Sequence, residues 1–201
     1  TARAVALVVA ARARGARATC ETCPHYLLLS DEDADEIGAL AKCAPPLRST
    51  AERAGLLAAV SCGSVDLVGS DHSPSPASLK GGDDLFAAWG GISGAQTLLT
   101  GTLTAGVPLA LVPALLGAGP ASLLGVADSR GALTEGRAAD IVLLDPARRE
   151  TLAASALHYR HPHSPLVGRT LRGRVVVTFL RGARAGAGHE PRGQYLPRPG
   201  G

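Results

Sequence analysis

The segment Val65-Asp-Leu-Val-Gly-Ser-Asp71-His-Ser-Pro74 reads as a short buried strand that ends abruptly on an acidic residue. Side chains alternate along a strand, so Asp71 shares the odd-numbered face with Val65, Leu67 and Gly69. In a barrel of parallel strands, a polar residue at the C-terminal end of a strand reads as catalytic. Asp and Ser followed by Pro also make turns, so a capping role for Asp71 stays open on spacing alone. Two other groupings have donor atoms for metal or redox chemistry. They are Cys20-x-x-Cys23 and the trio His158, His161 and His163.

Neither grouping has the context its chemistry needs. Cys43 and Cys62 do not form a second CxxC, and alternation would turn Cys20 and Cys23 to opposite sides of an extended segment. Buried free thiols in a reducing compartment fit the four cysteines better. The three histidines lie in a Pro-containing loop with nothing regular to fix them. Ser70, Asp71 and His72 are adjacent, so their side chains diverge and cannot form a triad. Leu116-Gly-Ala-Gly-Pro-Ala-Ser122 lacks the third glycine and the strand of a dinucleotide fingerprint. Gly91-Ile-Ser93-Gly94-Ala95 lacks the last glycine of a nucleophile elbow.

The elements that must position Asp71 follow from the pattern around it. Residues 2–14 read as an amphipathic helix stopped by Gly15, and Arg17 to Thr22 as a strand leading into a loop, Cys23-Pro-His-Tyr26. Ser30 can start a short helix, and the prolines of Cys43-Ala-Pro-Pro-Leu-Arg48 demand an extended loop. Ser49 or Thr50 can cap a helix to about Cys62, ended by Gly63. Helix, strand, helix, strand in this order gives a βα pattern with a parallel sheet. Residues 72–94 read as a long loop, followed by helices over 95–105 and 108–116 and a short one from Pro120. Beyond that, Asp140–Asp145 and Arg174–Arg181 are strand-like, with turns at Gly131, Gly136, Gly173 and Gly182. The tail from Gly186 reads as loosely held surface chain.

Composition narrows the class. With 46% hydrophobic and 18% charged residues, the chain can bury a core. A net charge of +3 with scattered arginines does not call for nucleic acid. No apolar span of about 18 residues calls for a membrane. The chain contains no methionine and opens on Thr1, which reads as a part of a longer protein.

Four ordered motifs together resemble the cyclic amidohydrolases. They are Glu21-Thr-Cys-Pro-His-Tyr-Leu27, Lys42-Cys-Ala-Pro-Pro-Leu-Arg48, Gly69-Ser-Asp-His-Ser-Pro74 and Ala88-Trp-Gly-Gly-Ile-Ser-Gly94. Gly131–Gly136 with Ala139–Asp145, then His163–Gly168 and the strand ending at Gly182, continue the likeness over nearly the whole chain. The Trp89-Gly-Gly-Ile92 run is most similar to the allantoinase branch. Dihydroorotases carry a His four residues after the metal Asp, where this chain has Ser75, with no positive group replacing it locally. Hydantoinases and dihydropyrimidinases show Pro-Asn-Gly where this chain has Trp89-Gly-Gly91, and some relatives are non-catalytic scaffolds.

The resemblance implies an α/β fold: the C-terminal part of a (β/α)₈ TIM barrel, its last two strands and helices, plus part of a small β-sandwich domain. Residues 1–128 would be barrel and 129–201 the small β domain and tail. It implies a metal-dependent hydrolase acting on a cyclic amide, opening allantoin to allantoate at two divalent metal ions, zinc by family usage. Asp71 would be both metal ligand and proton carrier. The other ligands, a carbamylated lysine among them, would lie on strands before Thr1, so this piece alone would be inactive. Backbone groups near Cys43, Ala44, Gly90 and Gly91 would bind the ring's amide edges, since glycine lets backbone approach a ligand closely. The implied partners are a small cyclic ureide and further copies of the chain, a tetramer in the family. The implied location is the cytoplasm.

Overall fold

Polar caps decide where the helices begin. The Thr1 hydroxyl accepts the Ala4 N–H at the head of α1 (Ala2–Ala13). Pro24 opens α2 (Pro24–Leu28), where its missing N–H costs nothing. Ser30 and Asp33 form a reciprocal capping box at the start of α3 (Asp31–Ile37). Ser49 caps α4 (Thr50–Ser61), which stops before Gly63 at positive φ. The structure, a computed structural model, describes residues 1–82, 84–186, 188–190 and 193–197.

Between these helices run two very short strands, β1 (Glu21–Thr22) and β2 (Leu67–Val68). They pair in parallel, Glu21 opposite Leu67 and Thr22 opposite Val68. The ladder extends past both ends, with Asp66 N–H on the Cys20 carbonyl and Gly69 N–H on the Thr22 carbonyl. Helices α2 to α4 form the crossover that parallel pairing requires. Val65, Leu67 and Val68 are all buried, so both strand faces are covered, as in a parallel sheet packed on two sides. Asp66 answers its burial locally: its carboxylate takes the Cys20 N–H at 2.6 Å and the Arg12 guanidinium.

The strands are shorter than the sequence implies, and their neighbours differ in kind. Cys23–Tyr26, expected as loop, belongs mostly to α2. Of the apolar residues in α1, only Val5 is buried, while Leu7 and Val9 face solvent. The expected amphipathic stripe is therefore one contact wide. Asp71 is not on the strand at all, because β2 ends at Val68.

One apolar core joins Val5, Leu27, Leu56, Val60, Val65, Val68, Val107 and Leu115. A second gathers Leu28, Leu29, Ala41, Cys43, Leu47, Ile92 and Leu166, linking the proline loop to the late part of the chain. The expected helices after residue 94 are broken. Ala95–Thr97 is a 3₁₀ turn leading into α5 (Leu98–Thr104), Leu109–Leu111 is another, and a π-helical turn at Ala114–Ala118 precedes α6 (Gly119–Leu123).

The β-rich region is an antiparallel sheet of β3 (Ile141–Thr151), β4 (Thr170–Leu180) and β5 (Ala183–Ala185), in the order β3-β4-β5. The first two strands run longer than expected because a bulge lets them bend. Gly173, expected in a turn, lies inside β4 at φ +87, where the register with β3 slips between Asp145 and Arg149. A Cβ there would stand 2.9 Å from the Leu103 side chain, so glycine is what lets β4 pack on α5. Of the tail, residues 187, 191, 192 and 198–201 lie outside the described residues; the others beyond Gly186 are exposed.

Candidate functional site

Where β1 and β2 end, their chains turn in different ways and bring three side chains together. Cys23 follows β1 directly with extended backbone and heads α2, which carries His25 one position beyond Pro24. After β2 the chain runs through Gly69 and Ser70 to Asp71, whose φ of +44 is left-handed. Asp tolerates that region better than most residues, yet holding it there still costs about 1–3 kcal/mol. The alternation that set Asp71 on the odd face is broken by this turn. Its carboxylate instead approaches His25, Oδ2 to Nε2 at 3.8 Å. His25 Nε2 is also 3.2 Å from Cys23 Sγ, and the donor atoms of Cys23, His25 and Asp71 all lie within 4.8 Å of one another.

Burial sets the protonation states. His25 is 3% exposed, and desolvation lowers it to about 4 despite the nearby Asp71 charge. It is a neutral imidazole at pH 7, so its contact with Asp71 is not an ion pair there. Burial, reinforced by the Asp71 charge, pushes the Cys23 thiol up. Asp71 itself is 57% exposed. It lines a cavity of about 550 Å³ with Cys23, Tyr26 and Ala44. The Tyr26 hydroxyl donates to the Pro45 carbonyl at 2.7 Å, tying α2 to the proline loop.

The four backbone positions expected to touch a ligand meet in a second layer. The Cys43 side chain belongs to the core, while Ala44 is exposed at the cavity wall. Gly90 packs on Ala44: a Cβ there would lie 3.5 Å from the Ala44 Cβ. Gly91 is buried against Ser73, whose Oγ would be 2.2 Å from an added Cβ. The loop carrying them is ordered by the Ser73 N–H on the Ile92 carbonyl at 2.9 Å and the Trp89 indole N–H on Ser73 Oγ at 3.2 Å.

Other candidates resolve into structural roles. His72 Nδ1 accepts the N–H groups of Gly94 and Ala95, so its ring holds that loop and its proton is assigned to Nε2. Ser93 is buried and presents no nucleophile. His158, His161 and His163 do not form a metal cluster among the described residues. His163 instead donates from Nε2 to the Ser75 carbonyl at 2.7 Å. An imidazole does therefore reach the Ser75 position, but from a distant part of the chain, and the bond holds backbone. Cys20 and Cys23 share no cluster. All four cysteines are free, Cys23 and Cys43 buried as expected but Cys62 exposed.

The sequence singles out Asp71, pairs Cys23 only with Cys20 and gives His25 only as part of a motif; the structure brings Cys23 and His25 beside Asp71. The signal available is a His three residues past the end of one strand and an Asp three residues past the end of its parallel neighbour.

No family model matches the chain. An allantoinase of Rubrobacter xylanophilus is 54% identical over 90% of this chain and 41% of its own length. One from Deinococcus radiodurans is 41% identical over 96% of this chain and 44% of its own. Among solved structures, the L-hydantoinase (dihydropyrimidinase) of Arthrobacter aurescens superposes with a TM-score of 0.88 and 32% identity, covering 91% of this chain and 42% of that one. The chain thus spans about two-fifths of the length of the curated relatives it matches. No helix among the described residues is long and apolar enough to cross a membrane. The parallel β1–β2 pair is a two-strand part of a (β/α)₈ barrel, followed by part of a small β domain. Likeness that runs through nine-tenths of the sequence and the backbone alike means that the chain belongs to the cyclic amidohydrolase family.

Proposed function

We propose that this chain contributes to the hydrolysis of the cyclic amide of allantoin, giving allantoate. The observation that carries the reading is the placement of Asp71 just past the end of a parallel strand, held at left-handed backbone beside the cavity. The identity to allantoinases supports the choice of ring.

The donor set fits a divalent metal. A thiol, a neutral imidazole and a carboxylate within 4.8 Å of one another suit zinc, which takes sulfur, nitrogen and oxygen ligands. Asp71 would hold the ion, with His25 and Cys23 within reach. The family resemblance supports a pair of zinc ions with a carbamylated lysine among their ligands. Such a centre brings a water's pKa near neutrality and polarises a carbonyl.

The chain's own residues do the rest. Water attacks the ring carbonyl carbon, and the carbon–nitrogen bond of the ring breaks. The Asp71 carboxylate takes the proton from the attacking water and returns it to the departing nitrogen, for which its exposure toward the cavity suits it. His25, neutral and buried, supports the carboxylate from behind without competing for that proton. The backbone strips at Cys43–Ala44 and Gly90–Gly91 present N–H and C=O groups to the ureide's edges.

A second reading, opening of a hydantoin or dihydropyrimidine ring, is favoured by the backbone likeness to the L-hydantoinase. The free thiols support a reducing compartment, the cytoplasm. The family supports self-assembly as a tetramer, and 1–128 and 129–201 as barrel and small-domain portions. The test is kcat/KM for allantoin, dihydroorotate, hydantoin and dihydrouracil, measured on the full coded polypeptide that carries this sequence. Preference for allantoin is expected. Preference for hydantoin or dihydrouracil promotes the second reading, and preference for dihydroorotate sinks the first.

A further inference from the structure

Two lysines are exchanged between the segments that meet at Ala44 and Gly90. Lys80 is 6% exposed, unusual for a lysine. Its ammonium donates to the carbonyls of Ala39, at 3.1 Å, and Lys42, at 2.8 Å. Lys42 reaches the other way: its ammonium donates to the carbonyls of Leu85 and Phe86. Each lysine therefore crosses to the other segment and binds main-chain oxygens there. A charged donor on a carbonyl is stronger than a neutral one, the more so when buried. The Trp89 N–H on the Leu79 carbonyl, at 2.7 Å, closes the loop between the two anchor points.

What the exchange fixes is the distance between two strips of backbone. Lys42 is next to Cys43 and Ala44. Lys80 and the carbonyls of residues 85 and 86 bracket the approach to Gly90 and Gly91. Gly90 lies against Ala44 and Cys43: an added Cβ would make ordinary contacts, 3.8 Å from the Ala44 nitrogen and 3.9 Å from the Cys43 carbonyl carbon. Among the described residues, the Lys80 ammonium donates to these two main-chain oxygens. A buried ammonium satisfied by main-chain oxygens holds backbone geometry more directly than a surface ion pair would.

We infer that Lys80 and Lys42 form a reciprocal clasp that holds the Gly90–Gly91 strip in contact with Cys43–Ala44, fixing the joint backbone edge against which a planar cyclic ureide is read. The inference rests on the reaction proposed above. Lys80 and Lys42 are positioning residues, because they act through backbone. A merely structural anchor would change melting alone, whereas a clasp that fixes a binding edge changes substrate affinity as well.

Trp89, the only tryptophan, lies inside the clasped loop and is 46% exposed, so it reports the clasp without any turnover. The experiment compares Lys80→Met, Lys42→Met and Lys80→Arg with the parent in the full coded polypeptide. Expected for both methionine variants are red-shifted Trp89 emission and stronger acrylamide quenching, with KM up about tenfold and kcat changed far less. Lys80→Arg, which keeps a charged donor, should recover part of both. Should Lys80→Met fail to fold, Lys42→Met, at a half-buried site, decides the matter. Unchanged Trp89 quenching in folded variants overturns the clasp. Altered quenching with unchanged KM overturns its positioning role. Absence of cyclic-amide hydrolysis in the parent defeats the proposed reaction instead, and the tryptophan readout still judges the clasp.

Discussion

His25 Nε2 stands 3.8 Å from Asp71 Oδ2, the first buried and the second 57% exposed. Two parallel strands of two residues each carry these side chains to one place from separate motifs. The pairing gives Asp71 a neutral neighbour on the core side and leaves its other side to the cavity.

Asp71→Asn isolates the charge. Asn tolerates left-handed backbone as Asp does and has nearly the same volume, so folding should be intact. Loss of the proton-accepting group should lower kcat/KM for allantoin by about 100-fold or more in the full coded polypeptide. Steady-state kinetics beside a melting curve checks both, and near-normal turnover removes Asp71 from the reaction.

Zinc affinity tests the donor set directly. Cys23→Ser and His25→Gln should each weaken zinc binding about 10- to 100-fold if the buried donors hold or orient the ion. Equilibrium dialysis with a colorimetric chelator gives the affinity without an activity assay. Parent-like affinity in both variants assigns the metal to Asp71 and other ligands.

Gly94 is a site where any side chain must displace backbone. A Cβ there would stand 2.5 Å from the Ser70 carbonyl oxygen, next to Asp71. Gly94→Ala should cost about 2 kcal/mol in denaturant unfolding. It should also lower turnover, because the shift falls on the segment that carries Asp71. A stability equal to the parent's would mean that the loop relaxes freely.

Leu27 reports the first core. It is 2% exposed and packs in the cluster that supports the strand pair. Leu27→Ala should destabilise by about 2–5 kcal/mol. Chemical denaturation measures this, and a cost well under that range would show that the parallel pair is not held by this core.

Lys80 gives a pH dependence with a defined sign. Burial lowers it to about 8 from 10.5, with the neighbouring Lys42 charge adding to the shift and Cys43 opposing it. Between these values the unfolded chain binds more protons than the folded one, so this group makes stability rise with pH across the window. Cys43 and Cys23, raised by burial, work the opposite way above 9, because the unfolded thiols lose protons first. The difference between parent and Lys80→Met isolates the lysine. Urea midpoints from pH 8 to 10.5 should rise more for the parent than for the variant, and parallel curves would contradict the buried charge.

By itself the sequence determined the local pieces: the caps at Ser30 and Ser49, the proline loop, the parallel βα order, and Asp71 as the residue to watch. Each of these depends on a few adjacent side chains and on backbone rules that act over one turn or one strand. Tertiary structure decided the rest. The strands are two residues long because the parallel ladder between them holds only the pairs Glu21–Leu67 and Thr22–Val68. Asp71 left its expected face because a left-handed turn overrides alternation. Gly173 became a bulge because Leu103 packs against it from α5. His25, Cys23 and the exchange of Lys42 with Lys80 were invisible for the same physical reason. A contact between residues far apart in sequence is set by how two elements pack, and no local spacing encodes that.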